Sequence, residues 1–349
     1  MTELPPASSV LPSRPRSVGR RTLTAFLWVV IGVGAGYALW LAWRDATVAD
    51  IPSDLHPVPL VASLGLRIAA TLLTVFVWLG LYRGLGGSIG TLDGSRIYLL
   101  TNLGKYLPGK VLHAAGRVAM LRERGEPAST GVTSILLELM VSLLAAALVS
   151  LLSIPLLLQT QGLAQYATLF TIVAVVAVPL GLIALHPKVL GVVLRLAASR
   201  LPSAGGPLST RLPSYRRILG LLAIYTLVWI AGSVGLFATA QSVYPLDLAW
   251  LPAMGGIAAA SYVAGLAVPF APAGIGAREG LMTLLLSTMM PAPAAAVVSV
   301  LYRLMSILAE LVSAGVTVAL GAVKSKPRRT LTPQPVGSPG PVPGRGGAN

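Results

Sequence analysis

Six apolar runs of bilayer length dominate this chain, at residues 22–43, 60–82, 129–158, 164–185, 218–243 and 294–323. A hydrocarbon core about 30 Å thick needs roughly 20 consecutive apolar residues in a helix. In lipid the backbone must satisfy its own hydrogen bonds, which leaves helices as the fold for runs of this kind. Composition agrees: 55% of the 349 residues are hydrophobic and 11% are charged, against about a quarter charged in a typical soluble domain. The expected fold is therefore an all-α integral membrane protein.

Charge sets its orientation. Arg14, Arg16, Arg20 and Arg21 precede the first run, whereas the loop after it carries Asp45, Asp50 and Asp54. Of the 26 lysines and arginines, 22 fall in four segments: residues 1–21, 83–126, 188–217 and 324–349. All four lie on one side if both termini are cytoplasmic, as the positive-inside rule requires. The net charge of +15 then reflects basic loops facing the cytoplasm, and no nucleic-acid partner is expected. The segment 188–217 reads as a basic loop with a short amphipathic piece.

Two stretches are only moderately apolar and are broken. Residues 92–121 are interrupted at Pro108-Gly109, and residues 248–290 at Pro269, Pro272 and Gly274. The first lies between cytoplasmic segments and must enter and leave on that side. The second must do so on the outer side. The expectation is six transmembrane helices plus two re-entrant helical hairpins. Each half then reads span, span, hairpin, span from opposite faces, an inverted-topology repeat of the kind found in secondary transporters. The domains expected are a cytoplasmic basic tail at 1–21, a membrane domain at 22–323 with halves 22–158 and 164–323, and a disordered Pro/Gly/basic tail at 324–349. Two ordinary kinked helices are the plainer reading of the broken stretches.

Charges inside a bilayer are costly, so each one needs a reason. The first hairpin carries Lys105, Lys110, His113 and Arg117; Asn102, Gly104 and Tyr106 sit at the break, and Lys110, His113 and Arg117 share one face of the following helix. A half-helix starting there would point free N–H groups at one spot, and with basic side chains beside it that spot suits a phosphate. The plainer alternative is a basic loop resting on anionic headgroups. Arg278 and Glu279 open the second arm of the outer hairpin, where Arg278 would hold a phosphate and Glu279 would orient it. Alternatively, Glu279 is a helix N-terminal acid stabilised by the dipole. Glu138 lies in the third span, and Arg303 and Glu310 share a face of the last. They form an intramembrane charge network, either functional or a structural pair such as Glu138 with Arg303. Arg67 reads as a snorkelling side chain in the second span.

Several chemistries are excluded or unsupported. The chain has no cysteine and its three histidines are far apart, so neither thiolate chemistry nor metal-ligand spacing is available. No phosphate loop, dinucleotide fingerprint or serine triad appears. Neither cofactor nor metal is expected.

The run Asn102-Leu103-Gly104-Lys105-Tyr106-Leu107-Pro108-Gly109-Lys110, with Ala115-Gly116-Arg117 and Leu136-Leu137-Glu138, resembles the first signature of the lysylphosphatidylglycerol synthase transmembrane-region family. Pro272-Ala273-Gly274-Ile275-Gly276-Ala277-Arg278-Glu279-Gly280 resembles the second. Ala273 stands where that signature has glycine, and Leu139 where an arginine usually follows the glutamate. The resemblance, over about 22–323, implies a flippase-like domain that moves a phospholipid or lipid-linked glycan between leaflets of the cell inner membrane. The synthase reaction belongs to a soluble domain that is not expected in the short tail here. An envelope glycosyltransferase, a lipid synthase or a second copy of the chain are the protein partners it suggests. A lipid-linked sugar or phosphate transferase, a scaffold for envelope lipid synthesis and a small-solute transporter are the competing functions.

Overall fold

A computed structural model describes residues 55–106, 112–154, 164–200, 211–268 and 272–324. The expected N-terminal tail, the span 22–43, Lys110 and the C-terminal tail from residue 325 lie outside the described residues, as do Pro108, Gly109 and Pro269 at the breaks. The described residues are helical, with no strand among them. They form α1 (Pro57–Gly84), α2 (Thr91–Asn102), α3 (Leu112–Arg122), α4 (Ala128–Leu151), α5 (Ala164–Ala184), α6 (Pro187–Arg200), α7 (Tyr215–Gln241), α8 (Leu251–Ala267), α9 (Ala277–Leu286) and α10 (Ala292–Lys324).

Length separates two kinds of helix. Five helical stretches are long and apolar enough to cross a membrane: Pro57–Gly84, Ala128–Leu151, Tyr215–Gln241, Leu248–Ala267 and Ala292–Leu320. The bent pair Val175–Ala184 and Pro187–Leu194 makes a sixth candidate, turned by 83° at its break. This is a multi-pass membrane protein. By contrast, α2, α3 and α9 have 12, 11 and 10 residues, about 15–18 Å at 1.5 Å per residue, roughly half a bilayer core. Both broken stretches thus form packed helix pairs, α2 with α3 and α8 with α9. The first arm of the second pair is the longer, since Leu248–Ala267 is by itself of crossing length. The amphipathic piece expected within the basic loop at 188–217 is a 14-residue helix, α6.

The helix contacts come in matched pairs. Exchange α1 with α7, α2 with α8, α3 with α9 and α4 with α10, and the principal packings map onto one another. The α1–α10 contact becomes α7–α4, α2–α10 becomes α8–α4, and α3–α4 becomes α9–α10. The most extensive contact, α1 with α7, maps onto itself. It is closed by small and polar residues, as membrane helix pairs often are: the buried Ser63 hydroxyl donates to the Gly235 carbonyl at 2.8 Å and lies 2.9 Å from that of Thr239. Val58, Leu72, Phe76, Leu180, Leu227, Leu284 and Val316 point outward and exposed. So many large apolar side chains on the surface suit a lipid solvent and not an aqueous one.

The two breaks meet. The 3-10 turn Leu103–Tyr106, which ends α2, touches the turn Pro272–Gly274, which precedes α9. Both lie beside the middle of α10, which positions the cavity described next.

Candidate functional site

A cavity of about 380 Å³ lies among α1, α4, α7, α8, α10 and the two turns. Among the described residues its wall holds five cationic side chains, Arg67, Lys105, Arg117, Arg278 and Arg303, against two carboxylates, Glu138 and Glu310. Asn102, Tyr106 and His113 also line it. Of the residues singled out from the sequence, Lys110 lies outside the described residues and Glu279 is not among the lining residues of this cavity.

The first pair of charges is local to the first hairpin. Arg117 Nη1 donates to Glu138 Oε2 at 2.8 Å, and Tyr98 donates its hydroxyl to Glu138 Oε1 at 2.5 Å. The guanidinium, 2% exposed, lies over the Tyr98 ring at 4.1 Å and the Trp78 ring at 5.2 Å. This corrects the expected pairing of Glu138 with Arg303. Because α3 packs on α4 and α9 on α10, each carboxylate meets the arginine of its own neighbouring helix first. Arg303 Nε accordingly lies 3.5 Å from Glu279 Oε1. The two pairs are related by the helix exchange with their signs swapped: arginine on α3 and glutamate on α4, glutamate on α9 and arginine on α10.

Glu279 has the plainer of its two expected roles. It occupies the first turn of α9, where its Oε2 accepts from the Gly276 backbone N–H at 2.8 Å. A carboxylate there satisfies a free donor and suits the helix dipole. Arg278, one residue earlier, points the other way, into the cavity, 5.7 Å from the Tyr262 ring.

Helix α10 holds both turns. Glu310 accepts from Lys105 Nζ at 2.5 Å and from the Tyr106 hydroxyl at 3.1 Å. Arg303 Nη2 donates to the Ala273 carbonyl at 3.1 Å. Arg303 and Glu310 are seven residues apart, two helical turns, so one face of α10 grips the first turn with a carboxylate and the second with a guanidinium. In the second turn Ala273 sits at φ 49°, ψ 21°, a left-handed conformation that favours glycine. Gly274, at φ 74°, lies so close to Gly265 of α8 that a Cβ would stand 2.5 Å from the Gly265 Cα.

Arg67 corrects a second expectation. It does not snorkel outward but faces the cavity, 3.3 Å from the Tyr302 hydroxyl and 5.2 Å from that ring's centre. Its Nε is buried with no hydrogen-bond partner among the described residues. The signal for this was present: Arg67, Thr71 and Thr74 recur at helical spacing in an otherwise apolar helix, and all three line the cavity. Tyr98, Tyr225, Trp229, Tyr262 and Tyr302 also line it, but single aromatics on apolar helices carry no comparable pattern.

Arg67 and Arg278 form no ion pair among the described residues. Arg303 and Arg67 both repel Arg278 across the cavity. Arg278 also stands in the first turn of α9, where the helix dipole disfavours a cation. Among the described residues, these two guanidiniums leave the cavity wall with an excess of positive charge.

No curated protein matches the chain. The family model for the lysylphosphatidylglycerol synthase TM region matches residues 25–313, and the chain belongs to that family.

Proposed function

We propose that this protein moves the anionic headgroup of a lipid, a phospholipid or a polyprenyl-phosphate-linked one, between the leaflets of the cell inner membrane. The observation that carries the reading is the cavity with five cations and two carboxylates, in which Arg67 and Arg278 have no carboxylate of their own. Family membership supports a role in lipid handling. On this reading both termini are cytoplasmic, and the pairs α2–α3 and α8–α9 are hairpins dipping in from opposite faces. Their turns would then meet near the midplane, and the cavity would be the polar station for a headgroup crossing the bilayer. Translocation also fits the fate of the carboxylates. A transferase would need one free to act as acid or base, whereas Glu138 is held by Arg117 and Tyr98, and Glu310 by Lys105 and Tyr106.

The test is transfer of tail-labelled fluorescent phosphatidylglycerol in liposomes containing the purified protein, followed by quenching of the outer leaflet. A hydrogen bond to a charged group contributes about 1.5–3 kcal/mol, so Arg67→Ala and Arg278→Ala should each slow transfer by roughly ten- to a hundredfold. Lysine at either position should restore part of it. Transfer that is unchanged in both alanine variants would refute the assignment.

A further inference from the structure

We propose that the hydrocarbon tail of the transported lipid leaves the cavity sideways through an apolar portal between α4 and α8, flanked by Leu139 and Leu266. The inference rests on the translocation reading and adds the path by which a headgroup enters while its tail stays in the bilayer.

Three observations place the portal. Of the described residues that line the cavity, only Leu139 and Leu266 are exposed, at 39% and 38%. Both are apolar, and they lie on the two helices that face each other across this side. Where the most exposed of the described lining residues are leucines, the wall opens onto hydrocarbon and not onto water.

Secondly, α4 and α8 are shut at their other end. Just beyond the end of α4, Ser153 Oγ donates to the Pro252 carbonyl at 2.7 Å and accepts from the Gly256 N–H at 2.8 Å. Val149 packs so closely on Gly255 that a Cβ there would clash. Leu139 precedes Ser153 by 14 positions and Leu266 follows Gly256 by 10, about 21 Å and 15 Å of helix rise. The leucines are therefore at similar depth, far from the closure, with Leu266 in the last turn of α8, which ends at Ala267. Just behind them stands the anion site, since the Arg278 Cβ is 3.4 Å from where a Cβ on Gly265 would be.

The third observation is a comparison. The helix exchange maps the α4–α8 gap onto the gap between α2 and α10. There the structure is bridged along its length: Arg96 reaches the carbonyls of Thr317 and Val318 at 3.3 Å and 3.5 Å, and Lys105 and Tyr106 are tied to Glu310. One side is bridged by hydrogen bonds and one ion pair and the other is flanked by leucines, which is the asymmetry that one-sided access to the cavity requires.

The chain has no cysteine, so the test needs no background changes. In the full-length protein, Leu139→Cys and Leu266→Cys are combined and joined by a flexible bis-maleimide. The probe is tail-labelled fluorescent phosphatidylglycerol, in vesicles of phosphatidylglycerol and phosphatidylethanolamine and in detergent. Transfer is compared within the double variant before and after linking, and linking should slow it at least tenfold. In detergent, linking before the probe is added should abolish its capture, and linking afterwards should trap it. Single-cysteine variants given the same reagent should keep at least half their rate. Linked protein that transfers and captures the probe as before would overturn the portal and leave translocation standing. Cysteines that fail to link would also overturn it, because they would not flank one opening. If no form, parent included, captures or transfers the probe, the anionic-headgroup reading falls and the portal with it.

Discussion

Gly274 offers a sharp test of how the second turn is held against α8. Replacing it by alanine imposes two costs. At φ 74° a side chain pays the left-handed penalty of about 1–2 kcal/mol. The new Cβ would also stand 2.5 Å from the Gly265 Cα, 2.9 Å from its carbonyl oxygen and 3.0 Å from its carbonyl carbon, where carbon atoms pack best at about 3.5–4.0 Å. All three obstacles are backbone, so relief means shifting the turn or α8, and overpacking of this kind costs about 1–3 kcal/mol. Gly274→Ala should therefore destabilise the fold by roughly 2–5 kcal/mol in total. The reciprocal change is the control. A Cβ on Gly265 would meet Arg278 Cβ and the Gly274 Cα at 3.4 Å, a tight contact but not an overlap. Gly265 is within a helix, where alanine is favoured over glycine by about 1 kcal/mol, so Gly265→Ala should be near neutral. Loss of monomeric protein on heating in detergent, read by size-exclusion chromatography, measures both. Transfer of phosphatidylglycerol should fall with Gly274→Ala, because moving the turn moves the Ala273 carbonyl that Arg303 grips. Gly274→Ala as stable as the parent, or Gly265→Ala equally damaging, would refute the geometry.

Ala273→Gly should relieve the left-handed strain at its position and leave the melting midpoint unchanged or raise it, while Ala273→Val should lower it, in the same heating assay. Glu138→Gln and Arg117→Met should each destabilise by about 3–5 kcal/mol, since removing one member of a buried ion pair strands the other. An Arg117→Met/Glu138→Leu double variant should recover much of that loss of thermal stability. Glu310→Gln should free Lys105 to meet an anion, so detergent-solubilised protein should retain phosphatidylglycerol several-fold longer than the parent does, as measured by dissociation of the fluorescent lipid.

Much of the architecture was legible because membrane helices are written in composition. The runs at 60–82, 129–158 and 218–243 correspond to α1, α4 and α7, and the glycines and prolines at 108–109 and 269–274 fall where short helices separate. The charged residues of the broken stretches were legible as unusual for the same reason: lipid tolerates so few that each one is conspicuous. Pairing was not legible. Whether Glu138 meets Arg117 or Arg303 depends on which helix packs against α4, and nothing local to Glu138 encodes that. Arg67 failed for the opposite reason. A lone arginine in an apolar helix reads as snorkelling, and only the inward threonines at 71 and 74 and the Tyr302 hydroxyl distinguish the two directions. Likewise, Glu279 looked like half of a functional Arg-Glu pair, yet adjacent residues at a helix start point apart: Arg278 enters the cavity and Glu279 turns back on its own N-terminus.

The swapped signs of the two ion pairs constrain the transport reading further. If the hairpins were equivalent, both would present the same charge to a headgroup. Instead, the first fastens its arginine to α4 and the second fastens its glutamate to α10, leaving Arg278 as the unmatched cation of the second hairpin. An anion arriving between α4 and α8 would meet Arg278 first and Arg67 next, before reaching the Lys105–Glu310 pair. To continue toward α2 and α10 it would compete with Glu310 for Lys105. The same pair that seals the far side would then be the one the cargo displaces. Neutralising Glu310 should therefore weaken the seal and, by the same displacement argument, lengthen the stay of the lipid, whereas Arg278→Ala should make its entry rare. A Glu310→Gln/Arg278→Ala double variant should behave as Arg278→Ala does, since a lipid that never enters cannot be held. Longer retention surviving in that double variant would break the proposed order of contact.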